Sequence, residues 1–171
     1  MKRVRLSNKE VKELAASLGR LGEILKNADV VEVGELEGGK AIYIVDKTPA
    51  LYKAEVQGLG EVIIPTLYLL HKSPMGQGVA QLYPHLVVDA GAVNHILNGA
   101  DVMRPGIKRV EGDFDKGQPV LIEDEKGRII AIGVSLYSRK ELEAAEKGKM
   151  VYNAHYLGDK LWKLSLELAN K

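Results

Sequence analysis

The stretch Val88–Ile107 reads VDAGAVNHILNGADVMRPGI. It sets Gly91-Ala92, Gly99-Ala100 and Pro105-Gly106 around one short apolar pattern, with polar Asn94, His95, Asn98 and Arg104 beside them. Asp89 is a favourable N-cap, so the spacing predicts a helix over Ala90–Asn98, followed by an extended Asp101–Met103. A glycine in a helix costs about 0.5–1 kcal/mol relative to alanine. Gly99 is accounted for as a left-handed C-cap, and Gly106, following Pro105, as part of a turn. Gly91 is not, because alanine would be cheaper in a first helical turn. Small residues there leave the helix start bare, and free backbone N–H groups at a helix start favour an anion such as phosphate. Asn94, His95 and Arg104 add donors suited to phosphate, ribose or base edges. Tight packing and close approach of a ligand both remain open readings of the glycines.

The rest of the chain limits what that ligand is. Its 171 residues suit one ordinary domain or two small ones, and 46% hydrophobic with 27% charged residues is a globular composition. A net charge of +1 argues against binding nucleic acid by bulk attraction, so any such binding needs a local patch. There are no cysteines, which excludes disulfides, thiolate metal sites and cysteine nucleophiles. The basic N-terminus MKRVRLSNKEVKEL has no apolar core, so no secretory signal is expected. No window approaches the roughly 18 apolar residues of a membrane span, and a cytoplasmic protein without membrane contact is expected.

Several apparent catalytic motifs fail on chemistry. Gly34-Glu35-Leu36-Glu37-Gly38-Gly39-Lys40 has the spacing of a phosphate-binding loop. Ala41 stands where a hydroxyl should hold magnesium, two glutamates would face the phosphates, and a strand rather than a helix follows. It reads as a hairpin turn. His71, His85, His95 and His155 show no i, i+4 pair, and no cysteine could complete a tetrahedral set, so neither a metal nor a cofactor is expected. No serine sits in a Gly-x-Ser-x-Gly elbow, and Glu123-Asp124-Glu125 reads as a solvated turn rather than a catalytic carboxylate pair. Nothing argues for an enzyme.

Ser7-Asn8-Lys9-Glu10 is a capping box opening a helix through Val11, Leu14, Ala15 and Leu18, with Gly19 and Gly22 near its end. From Val30 the period changes: VVEV, KAIYIVD, ALYKAEV and EVIIPTLYLL are β-rich runs with turns at Gly38-Gly39, Thr48-Pro49 and Gly58-Leu59-Gly60. Lys72–Leu82, with Pro, Ser and two glycines, is the best boundary, giving domains 1–82 and 83–171. Beyond it come a strand LVV, the helix of the opening stretch, and a hairpin of Pro119–Asp124 with Ile129–Tyr137. A second capping box at Ser138–Glu141 opens a helix through Leu142, Ala145 and Glu146 that stops at Gly148. A strand Val151–Leu157 and an amphipathic Leu161–Leu168 close the chain. The class is α+β.

These residues carry a resemblance. The run Val88-Asp89-x-Gly91-Ala92 through Leu97-x-Gly99-Ala100-x-Val102 to Pro105-Gly106-Ile107 resembles the signature of the PUA domain, a small RNA-binding β-pseudobarrel with short helices. Ile130-Ala131-Ile132-Gly133-Val134, Tyr137-Ser138, Lys147-Gly148 and Asn153-Ala154-His155-Tyr156-Leu157-Gly158-Asp159-x-x-Trp162 follow in the family's order. Pro65-Thr66-Leu67-Tyr68-Leu69-Leu70-His71-Lys72 is similar to the junction in the translation-machinery-associated PUA proteins. That group includes the eukaryotic malignant T-cell amplified sequence protein and its archaeal relatives, in which a mixed pre-PUA domain precedes the PUA domain.

The resemblance implies an RNA-binding protein of the translation apparatus, docking ribosomal or transfer RNA in initiation or recycling, with the small ribosomal subunit or a translation factor as partner. It also admits an accessory RNA-binding subunit for transglycosylases or pseudouridine synthases. Carried over by position, it points to Gly91, Ala92, His95, Gly99, Ala100, Val102, Arg104 and Pro105, with Asn153 and His155, as RNA-binding residues. Arg104 is the foremost phosphate ligand among them. His155 and Tyr156 equally fit core packing, and Trp162 fits buried structure better than a stacking platform.

Overall fold

The computed structural model describes residues 1–170. They fall into two compact units, one of residues 1–82 with those from Lys163 onward, the other Tyr83–Trp162.

The first unit opens with β1 (Arg3–Arg5) and α1 (Asn8–Ser17). The Ser7 hydroxyl accepts from the Glu10 backbone N–H at 3.1 Å while Glu10 accepts from the Ser7 N–H at 2.9 Å, so the capping box forms as the sequence predicts. A 3-10 turn at Gly19–Gly22 leads into α2 (Glu23–Lys26). Then β2 (Val31–Glu35), β3 (Ala41–Val45), β4 (Thr48–Val56) and β5 (Gly60–Pro65) form an antiparallel meander in the order β1-β2-β3-β4-β5. Leu25, Ile42, Ile44, Leu51, Ile64, Leu67 and Leu69 are fully buried, each stabilising by about 1.5–3 kcal/mol. The Gly34–Lys40 run contains the turn between β2 and β3, as expected.

Two expectations are corrected here. The turn placed at Thr48-Pro49 lies at Asp46-Lys47, and Pro49 pairs with Ile44 inside β4. Asp46 and Lys47 both take left-handed φ values, 46° and 73°, the arrangement that suits the right-handed twist of a two-residue hairpin. The Asp46 carboxylate accepts the N–H groups of Asp29 and Val30 at 2.9 and 2.8 Å, which holds the turn in that place. The run EVIIPTLYLL is not one strand. β5 ends at Pro65, and Thr66 caps α3 (Leu67–Lys72), accepting from Leu69 N–H at 3.0 Å and donating to Pro49 O at 2.8 Å. The Lys72–Leu82 stretch holds a short helix, α4 (Gly76–Ala80).

The second unit contains β6 (His85–Val88), α5 (Ala90–Ile96), β7 (Val102–Met103), β8 (Ile107–Glu111), β9 (Pro119–Glu123), β10 (Ile129–Ser135), α6 (Arg139–Ala144) and β11 (Lys149–Tyr156). A 3-10 turn at Arg104–Gly106 joins β7 to β8. The sheet runs β7-β11-β10-β9-β6-β8, with β6 and β9 parallel and the other pairs antiparallel. Its core gathers Leu86, Val88, Ile96, Val102, Val120, Ile122, Leu142 and Val151 around Phe114. Both helices are capped as predicted, by Asp89 and by the Ser138–Glu141 box, and each ends somewhat earlier than its apolar spacing suggests. The last helix, α7 (Lys160–Ala169), matches the amphipathic end. Among the described residues no helix is long and apolar enough to cross a membrane.

A lysine at a left-handed position is strained by roughly 1–2 kcal/mol, which glycine avoids. Lys47→Gly therefore raises stability by about 1 kcal/mol, read as a higher denaturant midpoint at unchanged slope.

Candidate functional site

Asp89 governs the start of α5. Its carboxylate accepts the Ala92 N–H at 2.8 Å, and its own N–H donates to Gly106 O at 2.9 Å. The helix start is therefore not bare: a carboxylate already satisfies it and places negative charge there. Gly91 is exposed, and a Cβ on it would meet only the Asp89 carboxylate, at 3.5 Å, so packing does not require the glycine. Gly106 is different. A Cβ there would stand 2.8 Å from the Ala92 methyl, so Ala92 and Gly106 are small because α5 and the 3-10 turn touch. At the other end of α5, Gly99 takes φ 94°; its N–H donates to Ile96 O and the Ala100 N–H to His95 O, both at 3.0 Å. This is the paired closure that ends a helix on a left-handed glycine.

Between α5 and the β7–turn segment lies an open cleft of about 480 Å³. Ala92, His95, Ala100, Val102 and Pro105, half of the predicted binding residues, line it. Val102 is buried and forms floor; His95, Ala100 and Pro105 are exposed. Met103, 49% exposed, shares the lining, as do Asp89 and Asp101. Met103 was missed in the sequence because an apolar residue in an extended pattern reads as core. Asp101 is engaged on two sides, accepting the Asn153 N–H at 2.8 Å and pairing with Lys149 at 3.0 Å.

Other predicted residues stand outside the cleft lining. Arg104 is half-buried; its Nε donates to Leu142 O at 2.9 Å and its Nη1 to Ile107 O at 3.4 Å, tying α6 to the turn. Asn153 spends its amide N–H groups on Ile96 O and Ala100 O, at 3.0 and 2.9 Å, clamping the end of α5 to β11; its Oδ1 is buried without a hydrogen bond. His155 is fully buried, with Nδ1 2.8 Å from Asp159. Burial pushes the Asp159 carboxyl up, but the His155 hydrogen bond and charge, with the N–H groups of Trp162 and Tyr156, outweigh it and leave the pKa lowered. Nor is the surface near the turn a free basic patch: Arg109 on β8 pairs with Glu111 at 2.9 Å, while Lys108 is exposed.

The acidic Glu123-Asp124-Glu125 departs from a solvated turn. Glu123 and Asp124 are buried, and Asp124 accepts from the backbone of Lys126 and Arg128 and from the Arg128 side chain, closing the β9–β10 hairpin.

Comparison with known proteins agrees with this architecture. The PUA domain family matches residues 84–157, and a domain of unknown function (DUF1947) matches residues 2–73. The chain is 36% identical over 166 residues to an uncharacterized protein of Methanocaldococcus jannaschii, covering 94% of this chain and 95% of that one. It is 30% identical over 169 residues to translation machinery-associated protein 20 of Saccharomyces cerevisiae, covering 95% and 87%. A hypothetical protein of Pyrococcus horikoshii of known crystal structure superposes with a TM-score of 0.76 at 32% identity, over 96% of this chain and 99% of that one.

Two outcomes follow from the site's internal bonds. Arg104→Ala leaves the Leu142 carbonyl without its charged donor and lowers unfolding stability by about 1–3 kcal/mol, measured by denaturant titration. Because the folded Asp159 carboxyl lies below its unfolded value, its contribution is complete above the unfolded pKa and lost as the pH falls through the folded one. Asp159→Asn is therefore less stable at neutral pH and shows a shallower loss below the ordinary carboxylate range, followed by circular dichroism during acid titration.

Proposed function

The chain belongs to the family of translation machinery-associated protein 20, with a PUA domain in its second half and a DUF1947 domain in its first, and on that basis we propose that it is an RNA-binding protein of the translation apparatus. The observation that carries the reading is the cleft beside α5, open and bounded by small or apolar groups at Ala92, Ala100, Met103 and Pro105, with the exposed imidazole of His95 at its side. Small walls let a ribose or base approach the backbone closely, and an imidazole face stacks on a base. Asp89 and Asp101 oppose phosphates inside the cleft. The phosphate backbone therefore runs outside it, where exposed cations such as Lys108 and Lys147 are available.

The binding residues we assign are Ala92, His95, Ala100 and Pro105, with Gly91 at the exposed helix start. Val102, Gly99, Asn153 and Arg104 shape or hold the cleft rather than touch the ligand, and buried His155, paired with Asp159, is not part of its lining. The ligand is structured ribosomal or transfer RNA, and the cellular setting is initiation or recycling on the small ribosomal subunit, with the first unit free to engage a protein or the ribosome. This is a docking role that needs no catalytic group.

Sedimentation of the wild-type chain with purified small ribosomal subunits, and a parallel titration of tRNA, tests this. His95 is exposed, so His95→Glu keeps the native circular dichroism and weakens RNA binding about tenfold by adding charge to an acidic cleft. With few cations in play, log K falls against log salt with a slope of only about −2. Unchanged binding by His95→Glu overturns the cleft assignment. Binding to neither RNA overturns the functional reading.

A further inference from the structure

We propose that His85, Glu111 and Glu123 form a binding site for a divalent first-row cation of the zinc type. The three residues lie far apart in sequence, and the order β9-β6-β8 brings them together. His85 opens β6 and pairs with Glu111, the last residue of the antiparallel β8. On its other side β9 runs parallel, with Glu123 opposite Val87 and therefore on the same face as His85, because side chains alternate along a strand. One ligand atom from each residue lies within 4.8 Å of the other two, and His85 Nδ1 is 3.1 Å from Glu123 Oε2.

Those separations are slightly wider than those of a bound metal. Nitrogen and carboxylate ligands sit about 2.0–2.2 Å from zinc, so two ligands of one ion are at most about 4.4 Å apart. Small side-chain rotations close the remaining gap. A neutral imidazole with two carboxylates carries a charge of −2, which a dication neutralises. The donor set of one nitrogen and two oxygens favours a borderline cation over calcium, which takes six to eight oxygens. Three protein ligands leave a further position for water.

The site is also partly preformed. The Glu123 side chain is only 10% exposed and that of His85 21%, so both are held in place by the sheet and its surroundings. Glu111 is also held by Arg109 at 2.9 Å, but both side chains are half exposed or more, and such an ion pair is weak enough to yield to a metal. All three ligands end or begin strands, so an ion there would pin β8, β6 and β9 together at one edge of the sheet. The proposal does not depend on RNA binding.

Isothermal titration of zinc chloride into the full chain, with cobalt(II) as a spectroscopic probe, tests it. One equivalent binds with a micromolar or lower dissociation constant, and cobalt gives the visible absorption of a low-coordinate centre. His85→Ala and Glu111→Gln each weaken binding at least tenfold; the exposure of Glu111 makes the second variant safe for folding. His71→Ala and His95→Ala, at exposed histidines outside the triad, leave it unchanged. Zinc binding that survives His85→Ala undiminished, or binding no tighter than millimolar in the wild-type chain, overturns the proposal.

Discussion

The parallel pairing of β6 with β9 is the constraint on which the second unit depends. Parallel neighbours cannot be joined by a hairpin, and the chain must leave the sheet and return over a dozen residues or more. Here the excursion holds α5, β7, the Arg104–Gly106 turn and β8, with β7 carried to one end of the sheet and β8 to the other. The cleft exists because that excursion crosses itself: α5 meets the turn at Ala92 and Gly106, too close for another side chain. The same strand pair, flanked by β8, brings His85 beside Glu111 and Glu123. One topological requirement thus creates both the cleft and the proposed cation cluster.

Holding the excursion in place uses polar side chains that a list of binding residues would assign to RNA. Asn153 reaches from β11 to two carbonyls at the end of α5, Asp101 accepts the Asn153 N–H, and Arg104 reaches the carbonyl of Leu142. Buried carbonyls and N–H groups left unpaired would each cost about 1–3 kcal/mol, so these side chains hold loops too short to bond among themselves. Asp159 does the same near the chain's last helix, serving His155 and two backbone N–H groups together.

How much of this was legible follows from the range of each signal. The two capping boxes and the Asp89 cap were readable because donor and acceptor stand three residues apart. The family resemblance was readable because several spaced motifs agree. The run Leu67–Lys72 was misread because a short apolar segment has no period of its own, and its helix is decided by Thr66, whose hydroxyl also reaches Pro49. The turn at Asp46-Lys47 was misplaced because neither residue is a glycine and its anchor, the N–H groups of Asp29 and Val30, is remote. The family resemblance points to Ala92 and Pro105, which line the cleft, but no local pattern separates an arginine that reaches solvent from one, like Arg104, that reaches Leu142. The His85 cluster is invisible for the same reason: spacing along one element says nothing of ligands that converge only through sheet order.

On the proposed reading, the placement of the acids decides how the cleft would meet RNA. Asp89 must cap α5, and Asp101 must hold Asn153, so neither can be exchanged for a neutral or basic residue without loosening the wall it belongs to. The fold therefore fixes two carboxylates in the lining, and a polyanion cannot lay its phosphates between them. What can enter is the uncharged part of a nucleotide, against Pro105, Met103 and the small residues of α5. In the proposed RNA site, discrimination would come from the shape and stacking of exposed bases rather than from charge, which would let a chain of net charge +1 be selective for RNA.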